Sequence, residues 1–144
     1  MIPVHPRTRS RFSPLLLVLT LAACTSTDPP KVDENAFPTD YRKAVLTHVM
    51  TTQSFDPTNI RDASISEPEL KPVVGNTTRY VVCVRFNARN EQRQYAGLRE
   101  RVAYFYAGDL NQFQEASAGQ CAGAAYKPFP ELEKICLSEK DKCV

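Results

Sequence analysis

Two segments constrain this chain more than any others: Thr77–Asn87, TTRYVVCVRFN, and Leu98–Tyr106, LRERVAYFY. Both are rich in β-branched and aromatic residues, which fit a pleated, half-buried surface and lose freedom in a helix. Only a short loop around residues 88–96 separates them, so they are expected to pair as antiparallel neighbours. A register that sets Tyr80 opposite Tyr106 is predicted to gather Tyr80, Val82, Val84 and Phe86 with Tyr106, Tyr104 and Val102 on a core face, Glu100 closing its end. Arg79, Val81, Cys83, Arg85 and Asn87 would then share the opposite face with Phe105, Ala103, Arg101 and Arg99. A slip by one residue would mix the two sets, and burial of the apolar set is what selects this pairing.

That register implies an arginine-studded face. Residues 79–101 hold six arginines, no lysine, and only Glu91 and Glu100 as acids. Arg79, Arg85, Arg99 and Arg101 are the candidate anion-binding residues, because guanidinium grips carboxylate and phosphate in bidentate fashion. The competing reading is a solvated face whose arginines pair with Glu67, Glu69 or acids of the linker. Tyr80, Tyr104 and Tyr106 fall on the core face and are read as packing residues rather than a platform for sugars.

The flanking sequence predicts the remaining elements. Pro38-Thr39 precedes DYRKAVLTHVMTTQ, with Thr39 as N-cap, Asp40 in the first turn, and Tyr41, Ala44, Val45, His48, Val49 and Thr52 on one face. Asp56-Pro57 should stop this helix near Ser54. Ile60–Glu67 is a weak strand, and Ala107-Gly108-Asp109 turns the chain into a short strand over Leu110–Glu115. Pro130 opens a short helix over PELEKICLSE. The predicted class is α+β: an N-terminal helix packed on a three- or four-stranded antiparallel meander, a short C-terminal helix, and disulfide stabilisation.

The first 23 residues differ from everything after them. Residues 1–13 carry Arg7, Arg9 and Arg11 and no acid, and Pro14–Ala23 is an almost purely apolar run of about ten residues. As a helix that run rises roughly 15 Å, half of a bilayer's hydrocarbon core, which suits a secretory h-region and not a permanent span. Without this segment 15 basic and 16 acidic residues remain, so the whole-chain net charge of +2 becomes −1. A body of that balance argues against nucleic acid as a partner. With 42% hydrophobic and 24% charged residues the chain has ordinary globular composition.

Leu21-Ala22-Ala23-Cys24 resembles the lipobox of bacterial lipoproteins. The resemblance implies diacylglyceryl transfer to Cys24, cleavage before it, and acylation of the new amino group. Two or three acyl chains hold a protein stably where one does not. Thr25, rather than aspartate, follows the cysteine, which in that family favours outer-membrane delivery. The lipobox and the cysteine-bearing strand YVVCVRFNARN together resemble small lipoproteins of Gram-negative α-proteobacteria. The helix-plus-meander plan is similar in outline to the small lipoprotein of the β-barrel assembly machinery, although none of that family's functional residues is matched. The expected organisation is a signal peptide over 1–23, a lipidated N-terminus and flexible tether over 24–36, and one domain over 37–144.

With Cys24 lipidated, Cys83, Cys121, Cys136 and Cys143 remain as candidate disulfide partners in an oxidising periplasm. Three connectivities are possible. Cys83 lies mid-strand and the other three lie near the C-terminus, so one bridge is expected to tie the tail to the sheet and another to close the tail on itself. No CxxC spacing supports zinc or thiol-redox chemistry. Only His48 survives cleavage, on the helix's apolar side, and no GxSxG, HExxH, P-loop or GxGxxG is present. The expectation is therefore a non-enzymatic structural or interaction module without metal or cofactor, lipid-anchored at the outer membrane and facing the periplasm. Its partner would be another envelope protein. The alternative is an anionic glycolipid or glycan, lipopolysaccharide phosphate or peptidoglycan carboxylate, bound on the arginine face.

Overall fold

β3 (Thr77–Arg89), at 13 residues the longest strand of the computed structural model, is the spine of the fold. The structure describes residues 30–51 and 56–135. The predicted signal peptide, Cys24, the first part of the tether, the helix stop near Ser54, and Cys136 and Cys143 lie outside these residues. The unit from Lys31 onward holds all the elements described below.

One edge of β3 pairs over Tyr80 to Phe86 with β4 (Arg99–Tyr106), which pairs in turn with β5 (Asp109–Glu115). Two strands share the other edge end to end. β1 (Asp56–Ser66) lies against the C-terminal half of β3, and β2 (Glu69–Val73) against its N-terminal half. β6 (Tyr126–Pro128) adds outside β1, so the sheet runs β5-β4-β3-β1-β6 with β2 beside β3, antiparallel throughout. The break between β1 and β2 falls at Glu67-Pro68, where proline has no N–H to donate. There the Ser66 hydroxyl accepts a hydrogen bond from the Cys83 N–H at 2.9 Å, replacing a lost ladder bond. β1 is itself irregular, with register shifts on either side of Arg61. Asn59 and Asp62 adopt φ of 57° and 55°, the left-handed conformation that Asn and Asp tolerate best, and these residues produce the bulges.

These findings correct the predicted class. The described chain is predominantly antiparallel sheet, six strands with two short helices, α1 (Tyr41–Thr51) and α2 (Pro130–Glu133), rather than an α+β domain of one helix packed on a three- or four-stranded meander. β2 and β6 were not anticipated, because Pro72 sits within β2 and β6 has only three residues. Both are short strands that hydrogen bonds from a neighbour define, with little pattern of their own. α1 begins one residue later than expected: the Asp40 carbonyl accepts from the Ala44 N–H at 2.9 Å, which makes Asp40 rather than Thr39 the boundary residue.

The core lies on one face of the sheet. Val82, Val84, Phe86 and Ala88 of β3, Ala103 and Phe105 of β4, and Ile60, Ala63 and Ile65 of β1 form one cluster with Tyr41, Val45 and Val49 of α1 and with Phe129, Leu132 and Ile135. Four-residue spacing puts Tyr41, Val45 and Val49 on one stripe of α1. Arg42, on the next position, donates to Glu131 at 2.8 Å and to the Pro128 carbonyl at 3.1 Å, its guanidinium 4.7 Å from the centre of the buried Phe129 ring. The Glu133 carboxylate accepts from the Ala63 N–H at 2.8 Å, satisfying a backbone group beside the Asp62 bulge.

Candidate functional site

The β3–β4 register decides what the other face can do. Tyr80 pairs with Phe105, Val82 with Ala103, Val84 with Arg101 and Arg85 with Glu100, one residue off the pairing that sets Tyr80 opposite Tyr106. The core takes Phe105 and Ala103, fully buried residues, in place of the bulkier and polar-tipped Tyr104 and Tyr106. Tyr104 and Tyr106 belong to the outer face. The arginines do not form one face: Arg79 and Arg85 are outside with the tyrosines, whereas Arg99 and Arg101 lie on the core side at the sheet's margin.

Each of the four has a neighbour. Arg79 pairs with Glu34 at 3.3 Å and lies 4.9 Å from the Tyr106 ring centre. The Arg85 Nε donates to the Ser64 hydroxyl at 2.9 Å while its guanidinium stacks 4.2 Å from the Tyr126 ring, whose hydroxyl donates to Glu100 at 2.7 Å. Burial first, then the Glu100 hydrogen bond and charge, push the Tyr126 phenol above its usual range. Arg99 pairs with Glu115 at 3.4 Å. Arg101 lies 4.3 Å from the Phe86 ring centre, and burial lowers the guanidinium from its ordinary value, opposed by Glu115 and reinforced by Arg99.

Cys83 of β3 points to the outer face and is bonded to Cys121, both buried. The bridge holds the loop around residues 116–125 against the sheet, and the half-buried Gln120 beside it reaches the Tyr104 hydroxyl as a hydrogen-bond donor. The Gln120 carbonyl oxygen accepts from the Ser117 N–H at 2.9 Å, so both ends of this amide are held. The result is an open groove of about 680 Å³. Tyr104 and Val81 contribute to its floor, Lys71 to Val74 of the β2 side to one wall, and Asn111, Gln112, Gln114 and Gln120 to the other. Its size falls within the range of about 300–1,000 Å³ typical of small-molecule clefts.

Lys71 and Arg79 stand directly opposite each other across β2 and β3. Lys71 pairs with Glu69 at 3.0 Å and Arg79 with Glu34 at 3.3 Å, which offsets the like-charge repulsion. His48 packs its ring 5.1 Å from Phe113 on the core side, away from the groove. The groove was invisible in the sequence because its floor depends on a one-residue register and its wall on a disulfide partner 38 residues away. The nearest signal was the run DLNQFQE, whose alternation places Gln112 and Gln114 on one face. Compared with known protein families, curated proteins and solved structures, the chain matches none.

Proposed function

We propose that the protein is a lipid-anchored binding module of the bacterial envelope, tethered through Cys24 at the outer membrane and acting on a periplasmic partner by contact rather than by catalysis. The observation that carries this reading is the Cys83–Cys121 bridge, which fastens a loop across the outer sheet face and so shapes a groove. Such a bridge suits an oxidising compartment. Export and anchoring rest on the basic, apolar and Leu21-Ala22-Ala23-Cys24 sequence. An anionic ligand on one arginine-rich face has less support: Arg79 and Arg101 leave opposite faces of the sheet, and the cavity of about 440 Å³ that Arg85 and Arg99 line together also holds Glu100 and Glu115.

Membrane fractionation tests the anchor. Wild type is expected with the outer membrane, Cys24→Ser is expected in the soluble fraction, and globomycin is expected to accumulate precursor. A precursor unchanged by globomycin, or a Cys24→Ser protein still in the membrane, would sink the proposal. In-cell crosslinking with mass spectrometry then tests the binding role: crosslinks should concentrate on peptides bearing Lys71 and the 116–125 loop.

A further inference from the structure

The outer groove favours one kind of ligand chemistry. Its floor combines the half-buried Tyr104 ring with the buried Val81 side chain, a flat apolar patch next to polar walls. The side chains of Asn111, Gln112 and Gln114 are exposed and make no hydrogen bond to other described residues. Each offers two donors and an acceptor with two lone pairs. Gln112 and Gln114 are two residues apart on one strand and so stand about 7 Å from each other. Gln120 and the bridge hold Tyr104 from the far side, so the ring is oriented before any ligand arrives. The groove's two cations, Lys71 and Arg79, are each matched by a carboxylate, Glu69 and Glu34, leaving the site without uncompensated charge.

An uncharged ligand with an apolar face and a rim of paired donors and acceptors meets these conditions. A sugar ring has that form: its C–H face lies on an aromatic ring, and its hydroxyl and acetamido groups match amide side chains. We propose that the groove between β2, β5 and the disulfide-held loop binds a short run of neutral, hydroxyl- and acetamido-bearing sugars, with Tyr104 and Val81 as the platform and Asn111, Gln112 and Gln114 as the hydrogen-bonding wall. This deepens the binding role proposed above by naming the ligand class, and it rests on that reading only for where the ligand would be met.

The test uses the full chain purified in detergent micelles and titrated calorimetrically with a neutral N-acetylglucosamine tetramer. A uronic-acid tetramer serves as the charged counterpart. Binding of the neutral tetramer is expected, insensitive to salt. Gln112→Ala combined with Gln114→Ala, both exposed, should weaken it about tenfold with unchanged thermal unfolding. Tyr104→Ala should weaken it at least as much, and Arg99→Ala, on the opposite face, should leave it unchanged. No binding of the neutral tetramer, equal binding by the Gln112→Ala, Gln114→Ala variant, or tighter and salt-sensitive binding of the uronic-acid tetramer overturns the assignment. Fractionation of Cys24→Ser is independent of these outcomes, so a failed ligand and a failed anchor are told apart.

Discussion

Arg85 shows how much a single position depends on its cross-strand partner. It stands opposite Glu100, and the Tyr126 phenol lies between them, stacked under the guanidinium and donating to the carboxylate. A double-mutant cycle on Arg85→Ala and Glu100→Ala is expected to show coupling of about 0.5 kcal/mol, as for favourable directly opposed pairs. The cycle on Arg85→Ala and Arg101→Ala should be additive within about 0.3 kcal/mol, since those side chains leave opposite faces. The reverse pattern would mean the register that places Tyr80 opposite Tyr106. A second residue-scale expectation concerns Glu131. The hydrogen bond from Arg42 holds its carboxyl below the usual carboxylate range. A carboxyl depressed on folding adds stability above its unfolded value near 4.3 and loses it as pH falls through the folded value. Because the side chain is 51% exposed, the contribution is expected to be only a few tenths of a kcal/mol. Denaturant unfolding of Glu131→Gln should therefore match wild type at low pH and fall slightly short of it at neutral pH.

Among the elements, the β4–β5 hairpin carries an alanine where its turn conformation favours asparagine. Its two-residue loop, Ala107-Gly108, has φ of 51° and 86°, the conformation that favours Asn-Gly. Ala107→Asn is expected to raise stability by about 0.5 kcal/mol, and Gly108→Ala to lower it by about 1 kcal/mol or more, both measurable by denaturant midpoint. Ala107 also donates its N–H to the Glu34 carbonyl at 2.9 Å, so a misfit there would loosen the segment that places Glu34 beside Arg79. β3, β4 and β5 were legible in the sequence as strands because their composition repeats over seven or more residues. β2 was not. Its Pro72, exposed Leu70 and half-buried Lys71 suit an edge, and what makes it a strand is the backbone of β3 alongside.

At the scale of the molecule, one covalent bond couples stability to the shape of the candidate site. Closing a loop of 38 residues removes about 3–4 kcal/mol of chain entropy from the unfolded state. Paired substitution Cys83→Ser, Cys121→Ser should lower unfolding stability by that order and, by freeing Gln120 from Tyr104, raise proteolytic susceptibility within residues 116–125. Retained stability and unchanged cleavage would separate the bridge from the groove. The sequence by itself determined that β3, β4 and β5 are strands, the turn at Ala107-Gly108, and that cysteines stand where sheet and tail can be joined. Those properties are local, set by side-chain branching, backbone conformation and position along the chain. Tertiary structure alone decided the sheet order, the one-residue register that sends Tyr104 outward, and the placing of Arg79 and Arg85 on the opposite face from Arg99 and Arg101. Strand pattern has a period of two and carries no label for its neighbour. Competition for one core, in which Phe105 and Ala103 pack with less polar burden than Tyr104 and Tyr106, settled which face each residue took.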